Sequence, residues 1–481
     1  MVANNMKSGR KRHWGRKIAL TGGVLLICYL LAAVVPYLPH KKVAKERWQE
    51  SLETATGAVE RVYSVETNQE ALLYRLRMIE EAEEEILLST FDFNADEGGL
   101  DIMAALSQAA ARGVRVRVLV DGMSGFLDTR GNIWFQTFAS QENIELKIYN
   151  PFLLWKPWKL QARLHDKYLI IDDRMYLLGG RNTTNLFLGE YSTAQNIDRE
   201  LLVYEGKEQE SSYENMPRSS LLELRDYFER VWALKDSKDY TETGKPEKQQ
   251  EARRMLAERY QELHIRYPEA FQETDWQALT METEGMMLLT NPIEAENKEP
   301  WLWYSLCRLM EQGQRITIYT PYIICGKEMY EELDRLCATA AQVDIITNDV
   351  ASGANPWGCT DYLNQKKRIL KTGVRVHEFL GAHSNHTKTI LIDDRISIVG
   401  SYNLDMRSTY LNTELMLVID CEELNRQYRR QAEEDKGWCK SIAAGEEYQF
   451  GIHYQPREFS LFKKIFYAVL RLLIIPIRRL L

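Results

Sequence analysis

Hydrophobic and polar positions along this chain change period repeatedly, and the changes come twice in the same order. From about Glu70, ALLYRLRMIEEAEE carries apolar residues at helical spacing, EILLSTFDF follows as a strand, LDIMAALSQAAARG returns to the helical period, and VRVRVLVD is a second strand. From about Trp301 the series repeats, with WLWYSLCRLMEQG, RITIYTPYI, EMYEELDRLCATAA and QVDIITND in the same roles. A further strand follows in each, IELKIYN and then VRVHEFL. Each series ends on an apolar strand of closely related sequence, KYLIIDDRMYLLGGRN and KTILIDDRISIVGSYN. This alternation predicts two α/β units, each with a mixed, mostly parallel sheet flanked by helices. Between them, LLELRDYFERVWALKD and EARRMLAERYQELHIRY flank a turn-like TETGKPEKQQ, which predicts a charged helical connector over residues 207–299.

The two ends break this pattern. Residues 18–39 carry no charge, and at about 1.5 Å rise per residue such a run can cross a hydrocarbon core about 30 Å thick. It is predicted to be an uncleaved transmembrane helix, because LAAVVPYLPH offers no convincing cleavage site for a signal peptide. Lys7, Arg10, Arg12 and Arg16 precede it without an acid, whereas Lys41, Lys42, Lys45 and Arg47 follow it diluted by Glu46 and Glu50. That bias favours the N-terminus inside but leaves the side facing the active site open. The last stretch, KKIFYAVLRLLIIPIRRLL, has five basic residues and no acid, and Arg471 and Pro476 interrupt its apolar segments too soon for a span. It reads as a surface-lying, lipid-facing tail, the alternative being that Leu470, Leu473 and Ile477 dock it on the core.

The chain of 481 residues is 45% apolar and 27% charged, the balance of a folded protein, and its net charge is −8. Setting aside the six basic residues of 1–17 and the five of 463–481 leaves 50 basic against 69 acidic side chains, a body of −19. An acidic body gives no broad field to attract a polyanion, and no nucleic-acid partner is expected. Cys28, Cys307, Cys325, Cys337, Cys359, Cys421 and Cys439 form no CxxC pair, so no structural zinc is expected. Their disulfide state stays open.

Candidate chemistry concentrates in the repeated strands. His165, Lys167 and Asp172 form HxK(x)4D, followed by Gly179, Gly180, Arg181 and Asn182; His386, Lys388 and Asp393 repeat it, followed by Gly400, Ser401, Tyr402 and Asn403. Side chains two apart on an extended segment share a face, so each motif presents an imidazole beside an ammonium. Such a set suits phosphodiester transfer without a metal. Lysines and asparagine amides stabilise charge on phosphoryl oxygens, one neutral imidazole attacks phosphorus, and a second, protonated imidazole donates to the departing alcohol.

These residues resemble the phospholipase D superfamily, whose members bring two such motifs into one cleft between two similar α/β domains related by pseudo-twofold symmetry. The resemblance covers most of 65–205 and 300–420. It implies a catalytic set of His165, Lys167, Asp172, His386, Lys388 and Asp393, in which the two aspartates brace the motifs. Asn182, Asn403 and Ser401 are implied as phosphate-binding groups, and Gly180 lacks the hydroxyl of Ser401. Glu200 in NIDRELLVY and Glu414 in YLNTELMLVI are implied to orient the imidazoles, with His165 as nucleophile and His386 as acid. Within the superfamily, NHTKTILIDDRISIVGSYNLDMRSTYLNTELMLVI and the C-terminal RLLIIPIRRLL are similar to bacterial cardiolipin synthases, although many of these have two N-terminal spans. That similarity implies a bacterial membrane phosphatidyltransferase using phosphatidylglycerol, with phosphatidylethanolamine as a candidate second lipid, through a phosphohistidine and without a cofactor. A phospholipid hydrolase of the same fold is the alternative, a nuclease ranks below it, and a non-catalytic scaffold ranks last.

The expected organisation is a basic segment (1–17), a transmembrane helix (18–39), a juxtamembrane linker (40–64), a first domain (65–206), the connector (207–299), a second domain (300–445) and the basic-apolar tail (446–481). Phe152, Trp155 and Trp158, beside Lys156 and Lys159, are candidates for seating the cleft at a lipid interface. His377 and His383 have no counterpart in the first half and are taken as structural.

Overall fold

The computed structural model describes residues 17, 20–39, 41, 43, 60–205, 219–352 and 355–481. The basic segment bearing Lys7, Arg10, Arg12 and Arg16, most of the 40–64 linker and the start of the connector lie outside the described residues.

The first half contains β1 (Arg61–Val65), β2 (Glu85–Thr90), β3 (Arg115–Asp121), β4 (Ile144–Tyr149), β5 (Tyr168–Ile171), β6 (Met175–Gly179), β7 (Asn196–Ile197), β8 (Glu200–Tyr204), β9 (Ser237–Asp239) and β10 (Met281–Glu282). The second contains β11 (Gly285–Thr290), β12 (Arg315–Tyr319), β13 (Gln342–Asn348), β14 (Arg375–Phe379), β15 (Ser384–Asn385), β16 (Thr389–Ile392), β17 (Ile396–Gly400), β18 (Leu415–Asp420), β19 (Cys439–Ile442) and β20 (Gln449–Phe450). One sheet runs β10-β1-β8-β6-β5-β2-β3-β4-β9 and the other β11-β18-β17-β16-β12-β13-β14-β19-β20. Without the outermost β10 and β20 the two orders superimpose strand for strand, so the sequence repeat is a repeat of fold.

The α/β architecture is as expected, but the balance of strand directions is not. Only β2–β3 and β3–β4 are parallel in the first sheet, and only β12–β13 and β13–β14 in the second. The parallel centre follows from helical crossovers such as Glu97–Ala111 between β2 and β3. The motif strands instead form hairpins. Between β5 and β6, Asp172 and Asp173 both take positive φ, +50° and +47°, and Arg174 N–H bonds Ile171 C=O at 3.0 Å, the backbone of a type I′ turn. Such a turn makes its flanking strands antiparallel.

Residues 207–299 also differ from a simple connector. They supply β9 and β10 to the first sheet and β11 to the second, so this segment stitches both domains together. The apolar GMMLLT of β11 carried the signal, while the polar SKD of β9 carried none. Its helical portions, Ser220–Trp232 and Pro246–Arg266, form as the period predicts.

The halves are joined beside the motifs. β7 and β15 pair in parallel, Ser384 with Asn196 and Asn385 with Ile197, and Leu164 bridges Thr413. Among the described residues one helix, Leu20–Tyr37, is long and apolar enough to cross a membrane, and most of its side chains are exposed. The tail forms a helix, Leu461–Leu473, then a tight 3-10 turn, Ile475–Leu480. All seven cysteines are free thiols.

Candidate active site

Each motif lies in the extended segment that enters its hairpin, His165 and Lys167 just before β5 and His386 and Lys388 between β15 and β16. The aspartates that complete the motifs sit at the far ends of β5 and β16, away from the imidazoles. Asp172 accepts the backbone N–H groups of Glu83, Glu84 and Glu85 at 2.7–2.8 Å, and Asp393 those of Gln314 and Arg315 at 2.9 and 2.8 Å. Both clamp the motif strand to the strand beside it.

The imidazoles are held crosswise. His165 Nδ1 lies 2.8 Å from Glu414 Oε1, and His386 Nδ1 lies 2.6 Å from Asp198 Oδ2, so each ring is gripped by a carboxylate of the opposite half. Backbone contacts cross with them: His165 N–H bonds Thr413 Oγ1 at 3.1 Å, and His386 N–H bonds Ile197 C=O at 2.6 Å. A carboxylate on Nδ1 fixes the proton there and leaves Nε2 with its lone pair. Phe91 meets the His165 ring edge-on at 5.4 Å and Phe187 the His386 ring at 5.0 Å, which restricts tilt.

Glu200 is not the partner of His386. It is fully buried and bound bidentately to Arg75, with one contact of 2.7 Å, and Arg181 stands 3.7 Å away. The ladders give the reason. Gly179 pairs with Glu200, whereas its counterpart Gly400 pairs with Met416, so Glu200 matches Met416 and Asp198 matches Glu414. Aligning the shared Glu-Leu pairs slips the register by two residues; counting back from the strands finds Asp198.

Ser401 also departs from expectation. Its hydroxyl is buried and donates to Glu414 while accepting from Leu415 N–H at 3.1 Å, so both bonds are spent on steadying the carboxylate. Ser408 Oγ adds a bond to Glu414 at 2.7 Å. At the equivalent Gly180 a Cβ would lie 2.5 Å from Asp198 Oδ2, so glycine there makes room for the shorter acid. The missing hydroxyl of the first half is thus a space requirement.

Lys167 and Lys388 are buried, each donating to the carbonyl of its own histidine, and Lys388 Nζ stands 2.6 and 3.1 Å from the two ring nitrogens of His386. Asn182 Nδ2 reaches Asp92 at 3.4 Å and Asn403 Nδ2 reaches Tyr322 Oη at 3.3 Å. The amide oxygens of both asparagines are buried without a partner. Asp92 and Tyr322 occupy matching positions two residues after Thr90 and Thr320, each of which bonds the carbonyl of that residue at 2.9 Å. The sequence repeat did not single out either one.

Electrostatics unites the four motif side chains and makes the halves unequal. Burial, then the charges of Lys167 and Lys388, holds His165 well below the usual imidazole range. Burial and Lys388 take His386 down to about 4 against the pull of Asp198. Burial lowers Lys167 to about 8 and Lys388 to about 7. Burial raises Glu414 to about 7, whereas at Asp198 the charges of Lys388 and His386 outweigh burial and hold it at about 2. The His386 partner is therefore a firm anion, and the His165 partner is the weaker acid of the two. A bound anion would relieve the penalty that burial places on the two ammonium groups.

A family model described as "Cardiolipin synthase, PLD-like domain" matches residues 76–214 and 306–436, more than half of the chain. The chain belongs to that family. Both matched stretches contain one motif, so the PLD-like domain occurs twice here, once per sheet. Cardiolipin synthase C of Escherichia coli is 24% identical over 425 residues, 78% of this chain and 85% of the relative. Cardiolipin synthase 1 of Bacillus cereus is 25% identical over 368 residues, 75% of this chain and 63% of the relative, and an uncharacterised protein of Helicobacter pylori is 24% identical over 389 residues, 75% and 76%. Among solved structures, phosphatidylserine synthase of Haemophilus influenzae superimposes with a TM-score of 0.62 at 16% identity, covering 91% of this chain and 99% of that one. This last likeness is one of fold, extending the paired PLD-like architecture over nearly the whole chain.

Proposed function

We propose that the chain is a phosphatidyltransferase that moves the phosphatidyl group of one phosphatidylglycerol to the hydroxyl of a second phospholipid, giving cardiolipin. The observation that carries this reading is the crosswise pairing of His165 with Glu414 and His386 with Asp198 beside two buried lysines. It places two imidazoles in different electrostatic settings, each beside a buried lysine, as a two-step transfer through a phosphohistidine requires. The membership of the PLD-like family and the printed names of the relatives support a phospholipid substrate.

In the first half-reaction His165 Nε2 attacks phosphorus, the N–P bond forms, and the P–O bond to the departing glycerol breaks. That oxygen takes the proton of His386 Nε2. Asp198, ionised at any physiological pH, supports the imidazolium on His386, and the negative phosphodiester offsets the lysine charges that depress it. In the second half-reaction His386, now neutral, removes the proton of the incoming lipid hydroxyl, whose oxygen forms the new P–O bond as N–P breaks. Lys167, Lys388, Asn182 and Asn403 stabilise the charge that builds on the phosphoryl oxygens. His165 is assigned the nucleophile because its partner Glu414 is the weaker anion, which favours the neutral ring.

Full-length protein incubated with phosphatidylglycerol vesicles, with and without phosphatidylethanolamine, is expected to yield cardiolipin by mass spectrometry. Phosphatidic acid as the sole product would convert the reading to a hydrolase, and no lipid turnover would remove it.

A further inference from the structure

Exposed apolar side chains outside the candidate active site converge on one side of the molecule. Leu461, Phe462, Leu472 and Leu473 on the helix Leu461–Leu473 are 57–79% exposed, while Leu470 and Ile474 on its other face are buried against the second domain. Lys463 and Lys464 lie among them and are exposed, and residues 461–481 contain no acid. This helix is tied in place by Arg471 Nε to Asn364 at 2.8 Å, and the 3-10 turn that follows it by Arg478 Nε to Asp361 at 2.9 Å. Its exposed face is therefore fixed in orientation.

Contacts beyond it lead to the end of the membrane-spanning candidate. Arg479 stacks on Tyr410 at 3.7 Å and donates to the carbonyls of Tyr37 and Pro39 at 3.1 and 3.3 Å. Tyr37 Oη donates to Trp158 C=O at 2.7 Å, in the loop where Trp155 is 71% exposed and Leu154 54%. Arg407, just after Asn403, bonds both Leu480 C=O at 2.8 Å and Gln161 C=O at 2.7 Å. Chain end, loop and anchor thus form one bonded unit against the segments that carry the two motifs.

We propose that this unit is a membrane seat: the Leu461–Leu473 helix lies in the plane of an anionic phospholipid leaflet, beside the point where the Leu20–Tyr37 helix leaves it, and with the Trp155 loop holds the cleft against the lipid. The occupant is the leaflet because the anchor's own exit fixes where the bilayer is, and because an apolar face flanked by lysines without acids matches lipid tails beneath anionic headgroups. This goes beyond the phosphatidyl-transfer reading and does not depend on it.

The test uses full-length protein in phosphatidylglycerol-containing vesicles, with Cys28→Ser as background and an environment-sensitive fluorophore at Phe462→Cys or Leu472→Cys. Glu434→Cys, on the exposed face of the helix Glu422–Lys436, serves as control. Labels at 462 and 472 are expected to emit blue-shifted light and to be quenched by spin-labelled acyl chains, while the label at 434 stays water-like. Water-like, unquenched emission at both 462 and 472 would overturn the seat, whether or not the protein turns over lipid. The double variant Phe462→Asp, Leu472→Asp supplies the second reading: at least about tenfold lower turnover on vesicles with a soluble short-chain diester unaffected. Equal loss on both substrates, or loss on neither, would contradict it.

Discussion

Replacing Asp198 by Asn separates the crossed-carboxylate account from its nearest competitor, in which Glu200 orients the imidazole. Asn keeps the shape and removes the anion. The bond it removes, at 2.6 Å with the carboxylate fully buried, is a charge-assisted one, worth about 1.5–3 kcal/mol. The imidazolium needed for leaving-group protonation loses that support, and its depression by burial and Lys388 deepens. At 1.36 kcal/mol per tenfold in rate, turnover should fall by about 10–150-fold. Glu200→Gln is the paired control. It breaks a buried ion pair with Arg75, a change costing about 3–5 kcal/mol of stability, so it should lower the melting temperature while the folded fraction keeps its turnover. The assay is lipid turnover on phosphatidylglycerol vesicles, normalised to folded protein by circular dichroism. Wild-type turnover in Asp198→Asn, or lost turnover in well-folded Glu200→Gln, would return the orienting role to Glu200.

Other consequences follow from the same site. Lys388 is held at about 7 in the folded protein against about 10.4 unfolded, so the unfolded chain binds more protons over that interval and this lysine's penalty grows as pH falls from about 10.4 to about 7. Lys388→Met should therefore be inactive yet melt higher than wild type, with the gap widest below pH 7 and closing towards pH 10; a gap that widens with pH would contradict this. Inorganic phosphate should raise the melting temperature of wild type more than of Lys388→Met, since an anion that binds only the folded site stabilises it by mass action. Gly180→Ala places a Cβ against the Asp198 carboxylate and should abolish turnover with the fold retained, whereas Ala at the exposed Gly113, where no atom lies within 4 Å but φ is +101°, should cost about 1 kcal/mol of stability while the folded fraction keeps its turnover. Asp172→Ala frees three backbone donors and should cost about 2–4 kcal/mol in denaturant unfolding, with turnover of the folded fraction preserved.

Legibility from sequence tracked the distance over which each contact acts. The helix and strand periods, the doubled HxK(x)4D and the GGRN and GSYN tails are local, and they anticipated the two sheets and the four motif side chains. Strand direction was misjudged because helices suggest crossovers, while the Asp172–Asp173 turn that makes β5 and β6 antiparallel depends on two positive φ values. Glu414 was picked out and Glu200 was a misassignment, because matching REL to TEL ignores that the strand partner of Gly179 is Glu200 while that of Gly400 is Met416. Ser401 looked like a phosphate ligand because its neighbour in space, Glu414, is 13 residues away. That each histidine belongs electrostatically to the opposite half is a property of the assembled pair of domains, and no local pattern encodes it.

Locating the phosphorus during turnover decides whether one covalent phosphoryl relay runs between the two unequal imidazoles. Full-length protein mixed with phosphatidylglycerol and quenched rapidly at alkaline pH, where phosphohistidine survives, can be digested and the modified residue mapped by mass spectrometry. The account predicts a phosphatidyl adduct on His165 and none on His386. An adduct on His386 would reverse the two roles, and cardiolipin formation with neither ring modified would contradict the relay itself.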